Sequence, residues 1–148
     1  MVKHALVSLA ALILAGGVAA TQESPDCFSK FTNFNVCEKA REMQRGLSPL
    51  LPMKMNANIT LSTVSAVGPR IAIIAVWHMQ KSDVDASLFA GGTTLAEFRA
   101  KIDQATQNSV CSQAPMAAFV RLGGQVQYIY KTEDQHVLLT PTVTKCPN

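Results

Sequence analysis

Between Ile71 and Met79 every residue except His78 is apolar, and the chain on either side falls into shorter patterned stretches. The run is rich in β-branched residues and too short to cross a bilayer. It therefore predicts a central strand covered on both faces. Before it, Ile59, Leu61 and Thr63 alternate with their neighbours, which predicts a strand from Ile59 to about Ala66 with those three on one face. Val67-Gly68-Pro69-Arg70 supplies the turn between the two strands. Further upstream, Val36, Ala40, Met43 and Leu47 recur at helical spacing opposite Glu38, Lys39, Arg41, Glu42 and Arg45. Asn35 with Glu38 resembles a capping box at the start of that helix, and Ser48-Pro49 ends it. Leu50 to Asn56 reads as a connector.

After the central run, Lys81 to Thr93 reads as a loop with at most one helical turn. Thr94 with Glu97 is a second capping box, and Leu95, Phe98, Ile102, Ala105 and Ser109 predict a helix over about 95–109. A short helix follows, with Pro115 in its first turn, Met116, Phe119, Val120 and Leu122 as apolar positions, and Gly123 as its terminator. The period then changes to two. Val126, Tyr128 and Tyr130 alternate with Gln125, Gln127 and Ile129, the polar run Lys131 to Gln135 makes a turn, and a last strand runs from His136 to Thr144. Pro141 cannot donate to a ladder, so this last strand is expected at an edge. The order predicts an α+β fold: one domain, an antiparallel sheet of about four strands, and helices packed on one side.

The first twenty residues belong to a different category. Lys3, the apolar stretch Ala5 to Leu14 and the small-residue site Val18-Ala19-Ala20 describe a secretory signal peptide at 1–20, with cleavage expected before Thr21. The domain is then 21–148, with no obligatory membrane insertion after cleavage and a periplasmic or secreted location. The formal charge of +3 is spread without runs, which argues against nucleic acid or an anionic membrane as an obligatory partner. Cys27, Cys37, Cys111 and Cys146 all lie past the cleavage site, so two disulfides are expected. Three pairings are open, and nearness in the chain favours Cys27 with Cys37 and Cys111 with Cys146. A metal site would want a Cys-x2-Cys knuckle or clustered histidines, so no metal is expected, and no cofactor either.

Candidate chemistry is sparse. His78 and His136 are the histidines outside the signal peptide. His78, in apolar sequence surroundings, reads as a hydrogen-bonded structural imidazole, and His136 sits in a polar turn beside Glu133 and Asp134. Either could serve as a general base. No Gly-x-Ser-x-Gly elbow and no Cys-x-x-Cys motif is present. Asp83 and Asp85 would share a face if their segment were extended, as a carboxylate pair or weak cation site. Gly91-Gly92 lacks the sequence around a phosphate loop. Asn58-Ile59-Thr60 matches a glycosylation acceptor that matters only in a eukaryotic secretory pathway. Tyr128 and Tyr130 share a strand face and could form an aromatic platform, and the edge at Pro141 could accept a partner strand. The candidate binding residues are therefore Tyr128, Tyr130, Pro141 and His136, for a protein partner.

The order Leu51-Pro52-Met53, a strand pair across Gly68-Pro69, a helix, then Cys111-Ser112, Pro115, Gly123-Gly124, Tyr128-Ile129-Tyr130 and Cys146 resembles a loose group of small exported proteins of Gram-negative bacteria. The resemblance covers about Leu50 to Cys146. It implies export and a stapled C-terminal module, and it transfers no catalytic residues. Cys27 and Cys37 stand outside it. The functional expectation is a non-enzymatic exported protein that binds another protein, in the envelope or as a secreted virulence-associated factor. The alternatives are a small periplasmic hydrolase with His78 or His136 as base, and a translocated effector acting in a host cell.

Overall fold

A computed structural model of the protein describes residues 25–147, so the predicted signal peptide lies outside the described residues. Helix α1, Val36–Leu47, forms where the amphipathic stripe predicts it, and Asn35 caps it by accepting the Glu38 N–H at 2.9 Å. Strands β1, Met53–Lys54, β2, Ile59–Val67, and β3, Arg70–Trp77, follow, with β2 and β3 joined at Gly68, whose φ of +57° suits a residue without a side chain. Then come α2, Lys81–Ala90, α3, Leu95–Ser112, and α4, Ala114–Arg121. Strands β4, Gln125–Thr132, β5, Val137–Leu139, and β6, Thr142–Val143, complete the sheet.

The sheet has six strands in the order β1-β2-β3-β4-β5, with β6 also pairing β4. Two of these depart from the expected four. The connector contributes β1, which pairs with β2 at Met53 and Leu61. At the other end Pro141 splits the last strand. Its carbonyl accepts the Tyr128 N–H at 3.0 Å, but it has no N–H to return, so the ladder breaks into β5 and β6 along the β4 edge.

The sheet is also not wholly antiparallel. β3 and β4 run parallel, from Arg70 opposite Gln125 to Trp77 opposite Thr132. A parallel neighbour needs a long crossover, and α2, α3 and α4 carry the chain back to the starting end. Part of that crossover, Lys81 to Ala90, is a full helix where a loop was expected. Only Val84 on α2 is buried, so no apolar stripe announces the helix. Its N-terminus is held by side chains instead: Gln80 N–H donates to Asp83 at 3.3 Å, and Lys81 N–H donates to Asp134 at 3.1 Å, from the turn between β4 and β5.

One face of the sheet carries the core. Leu61, Val64, Ile71, Ile73, Ala75, Val126, Tyr128 and Tyr130 are buried there beneath Val36 and Ala40 of α1, Val110 of α3, and Met116, Phe119 and Val120 of α4. A register shift between Leu61 and Thr63 resets the alternation of β2, so Val64 continues the inward row and Thr63 is exposed. On the opposite face Ala72, Ile74, Val76, Gln127, Ile129 and Lys131 are half-buried. The central strand is therefore covered on one face, not both. Serine, threonine, glutamine and lysine around the aliphatic row keep the other face compatible with water.

Cys27–Cys37 and Cys111–Cys146 are the two disulfides, the pairing favoured by chain proximity. The first closes a loop onto α1, and the second ties the end of α3 to the tail beyond β6. Among the described residues no helix is long and apolar enough to cross a membrane.

Candidate functional site: a groove above the tyrosine pair

Strand alternation places Tyr128 and Tyr130 on the helix-covered face, beside Ile73 and Ala75 of β3, with their rings stacked at 5.8 Å. Trp77, at the end of β3 on the same row, meets Phe98 of α3 edge to face at 5.6 Å. From there α3 crosses above the tyrosines, but its residues at Ala105 and Ser109 are too short to reach them. A cavity of about 340 Å³ remains, walled by Ile102, Ala105, Thr106 and Ser109 on one side and by Met55, Asn56, Asn58 and Ile59 on the other, with Trp77, Tyr128 and Tyr130 as its floor. A second cavity of about 120 Å³ adjoins it through the shared residues Met55 and Tyr128, and extends between Leu47, Leu51 and Met53 on one side and Gln113 and Met116 on the other. Together they form an elongated groove between α3 and α4 on one bank and α1 with the β1–β2 hairpin on the other.

The groove is apolar and uncharged. Burial, and to a smaller degree the neighbouring Tyr130, pushes the Tyr128 phenol up to about 12. Burial also raises the Tyr130 phenol, partly offset by its 3.0 Å hydrogen bond with Thr106. Both rings therefore stay neutral at any physiological pH. Trp77 adds a latent polar contact, because its Nε1–H is buried without an acceptor. Asn56, Asn58, Ser109 and Gln113 contribute amide and hydroxyl groups along the banks. Such a lining suits apolar side chains whose backbone can be hydrogen-bonded from the banks.

Of the four residues singled out in the sequence, the structure brings Tyr128 and Tyr130 together in the groove. Pro141 is buried at the β4 edge, where its carbonyl serves Tyr128, and His136 is exposed beyond the turn after β4, 3.5 Å from Asp134. The Asp134 carboxyl is held below the usual range, chiefly by the Thr132 hydroxyl and also by the Lys81 N–H and His136. Neither Pro141 nor His136 lines the groove.

His78 is a hydrogen-bonded imidazole, as its sequence surroundings suggest, but it lies beyond the strand rather than on it. It is the first residue past β3 and is exposed, with Nε2 at 2.8 Å from Thr60 Oγ1 and Nδ1 at 3.2 Å from Glu133 Oε1. Parallel pairing explains this contact, because the ends of β3 and β4 finish side by side. Asp83 and Asp85 fall on a helix, where residues two apart do not face each other, and Asp85 pairs with Lys81 instead. Among the described residues no group of three or more histidine, cysteine or carboxylate side chains could hold a metal.

Sequence reasoning missed the banks of the groove. The available signal lay in the α3 stripe, where the large residues Phe98 and Ile102 give way to Ala105 and Ser109 above a strand carrying two tyrosines. Of the asparagines in the β1–β2 hairpin, Asn56 lies in the expected connector, and Asn58 stands out only in the Asn58-Ile59-Thr60 acceptor triplet.

Fold and groove define a small, disulfide-stapled α+β domain with an apolar cleft between its helices and an edge hairpin. No protein-family model matches the chain, and no curated protein matches it in sequence. Its fold is similar to solved structures. A predicted secreted protein of Pseudomonas aeruginosa matches with a TM-score of 0.61 at 12% identity, over 81% of this chain and 93% of that one. The type II secretion system pilotin AspS from Vibrio cholerae matches with a TM-score of 0.57 at 16% identity, over 75% and 90%. The type 2 secretion system pilotin EpsS from Vibrio vulnificus matches with a TM-score of 0.58 at 13% identity, over 74% and 87%.

Proposed function

We propose that this protein is exported and works in the cell envelope or outside the cell by gripping an apolar segment of a partner protein in the groove above Tyr128 and Tyr130. The observation that carries the reading is the groove itself: an uncharged cleft on the buried side of a small domain, with amide and hydroxyl groups along its banks. The two disulfides fit an oxidising compartment. The fold is the one used by two secretion-system pilotins and by a predicted secreted protein, which supports a role beside export machinery. Photo-crosslinking in the exporting cell tests it, with the reactive residue placed at Ala105 in the groove or at Ser65 on the open sheet face. A polypeptide joined from Ala105 and not from Ser65 is the expected outcome. Crosslinks from Ser65 alone, or from neither, would contradict the reading.

A second reading rests on a different observation. Glu133, His78 and Thr60 stand in line as carboxylate, imidazole and hydroxyl, the order in which a base activates an oxygen nucleophile. This is the small hydrolase with His78 as base. An ester-cleaving activity abolished by His78→Ala in a folded protein supports it, and an unchanged activity removes it.

A further inference from the structure

Phe28, Phe31 and Phe34 lie in the loop closed by the Cys27–Cys37 disulfide, and they are 47%, 89% and 38% exposed. Single exposed apolar residues are ordinary, but three aromatic rings in one short loop are not. The loop is held in shape. Phe28 bridges Asn35, Ser29 N–H donates to the Phe34 carbonyl at 3.0 Å, and the disulfide fixes both ends. Phe31 stands at the turn, directed away from the domain's own core.

The surroundings indicate what covers these rings. From Cys27 to Cys37 the loop itself contains one charge, Lys30. Phe28 and Phe31 border a shallow recess of about 730 Å³ that Lys30, Arg121 and Lys145 also line, against the single carboxylate of Asp26. Arg121 gives one N–H to the Pro147 carbonyl at 3.1 Å, and a guanidinium has five to offer. Aromatic tips beside a cluster of cations are suited to a membrane–water interface with anionic headgroups, where rings enter the acyl boundary and cations meet phosphates. The modest charge of the whole chain hides the feature, because the three cations are far apart in sequence and meet only in the fold.

We propose that the Cys27–Cys37 loop is a peripheral membrane contact, in which Phe28 and Phe31 enter the interface of an anionic bilayer while Lys30, Arg121 and Lys145 hold its lipid phosphates. The contact is independent of the groove and needs no spanning helix.

Flotation of the mature protein with vesicles of phosphatidylcholine, with and without phosphatidylglycerol, tests this. Binding is expected to the phosphatidylglycerol vesicles and to fall with added salt. Phe28→Ser with Phe31→Ser should weaken it more than about tenfold, and Lys30→Gln or Lys145→Gln about fivefold each. These residues are on the surface, so circular dichroism should show each variant folded. As a second readout, Phe31→Trp should shift its emission to the blue when phosphatidylglycerol vesicles are added. Failure to float with phosphatidylglycerol overturns the proposal, and so does undiminished binding by the double serine variant. A blue shift that depends on protein concentration without vesicles also overturns it, because the rings would then meet a second copy of the chain.

Discussion

The Tyr130 hydroxyl and the Thr106 hydroxyl form a buried hydrogen bond of 3.0 Å that joins the floor of the groove to its helical bank. Tyr130 belongs to β4 and Thr106 to α3, so the bond fixes how closely the helix approaches the sheet. Either group alone would be left partly unsatisfied by loss of the other. We expect Thr106→Val and Tyr130→Phe each to cost about 1 kcal/mol. The double variant should cost less than the sum, with a coupling of about 0.5–1 kcal/mol in urea denaturation. Additive costs would mean that the two hydroxyls do not interact in solution.

The same burial predicts an alkaline weakness. In the folded protein Tyr128 keeps its proton up to about 12, whereas an unfolded tyrosine releases it near 10. Between these values the unfolded chain binds fewer protons, so stability falls as pH rises. The contribution is intact below about pH 10 and is lost progressively from about 10 to 12, on the order of 2 kcal/mol in all. Denaturation midpoints taken from pH 9 to 11.5 should decline steeply for the native protein. Tyr128→Phe should flatten that decline.

How much of this was legible in the sequence depended on whether a segment's structure arises from its own residues. Helices α1 and α3 and strands β2 and β4 carry their periodicity openly, and β3 shows as an apolar run without one. The disulfide pairing is open to three choices in the sequence, and the observed one is that favoured by nearness in the chain. Helix α2 was hidden, because Asp134, more than fifty residues away, caps it and its single buried residue leaves no stripe. The parallel pairing of β3 with β4 was hidden for a related reason: strand patterns specify faces, not direction. The apolar run suggests a strand through Met79, whereas β3 stops at Trp77 and leaves His78 at the surface. The tyrosines of the groove were visible as a pair. The groove was not, since it is the gap left by small residues on α3 and depends on where the hairpin lies.

The two disulfides should differ in weight. Cys111 and Cys146 are 35 residues apart and Cys27 and Cys37 are 10 apart, and the longer loop restricts the unfolded chain more. In the chain-entropy account, paired serine substitutions should cost about 4 kcal/mol at Cys111–Cys146 and nearer 2.7 kcal/mol at Cys27–Cys37. Thermal or urea unfolding of the two double variants measures this. A reversed order would mean that the N-terminal loop bears more of the native packing than its length implies.

Gly124 has no room for a side chain. An added Cβ would overlap the ring of Phe119, which is 1% exposed and wedged between α4 and the sheet. Gly124→Ala should therefore cost about 1–3 kcal/mol. Combining it with Phe119→Leu should recover part of that loss, visible as non-additivity in denaturant unfolding.

We propose that a partner protein is held in the groove above Tyr128 and Tyr130. Ala105 is exposed on its bank, so Ala105→Trp fills the cleft from the solvent side without disturbing the core, while Ser65→Trp places the same bulk on the open face of the sheet. The most direct measurement is the affinity of these two variants for the polypeptide recovered by crosslinking from the groove. Ala105→Trp is expected to weaken binding by at least about tenfold while Ser65→Trp leaves it unchanged. Equal affinities, or a loss confined to Ser65→Trp, would contradict it.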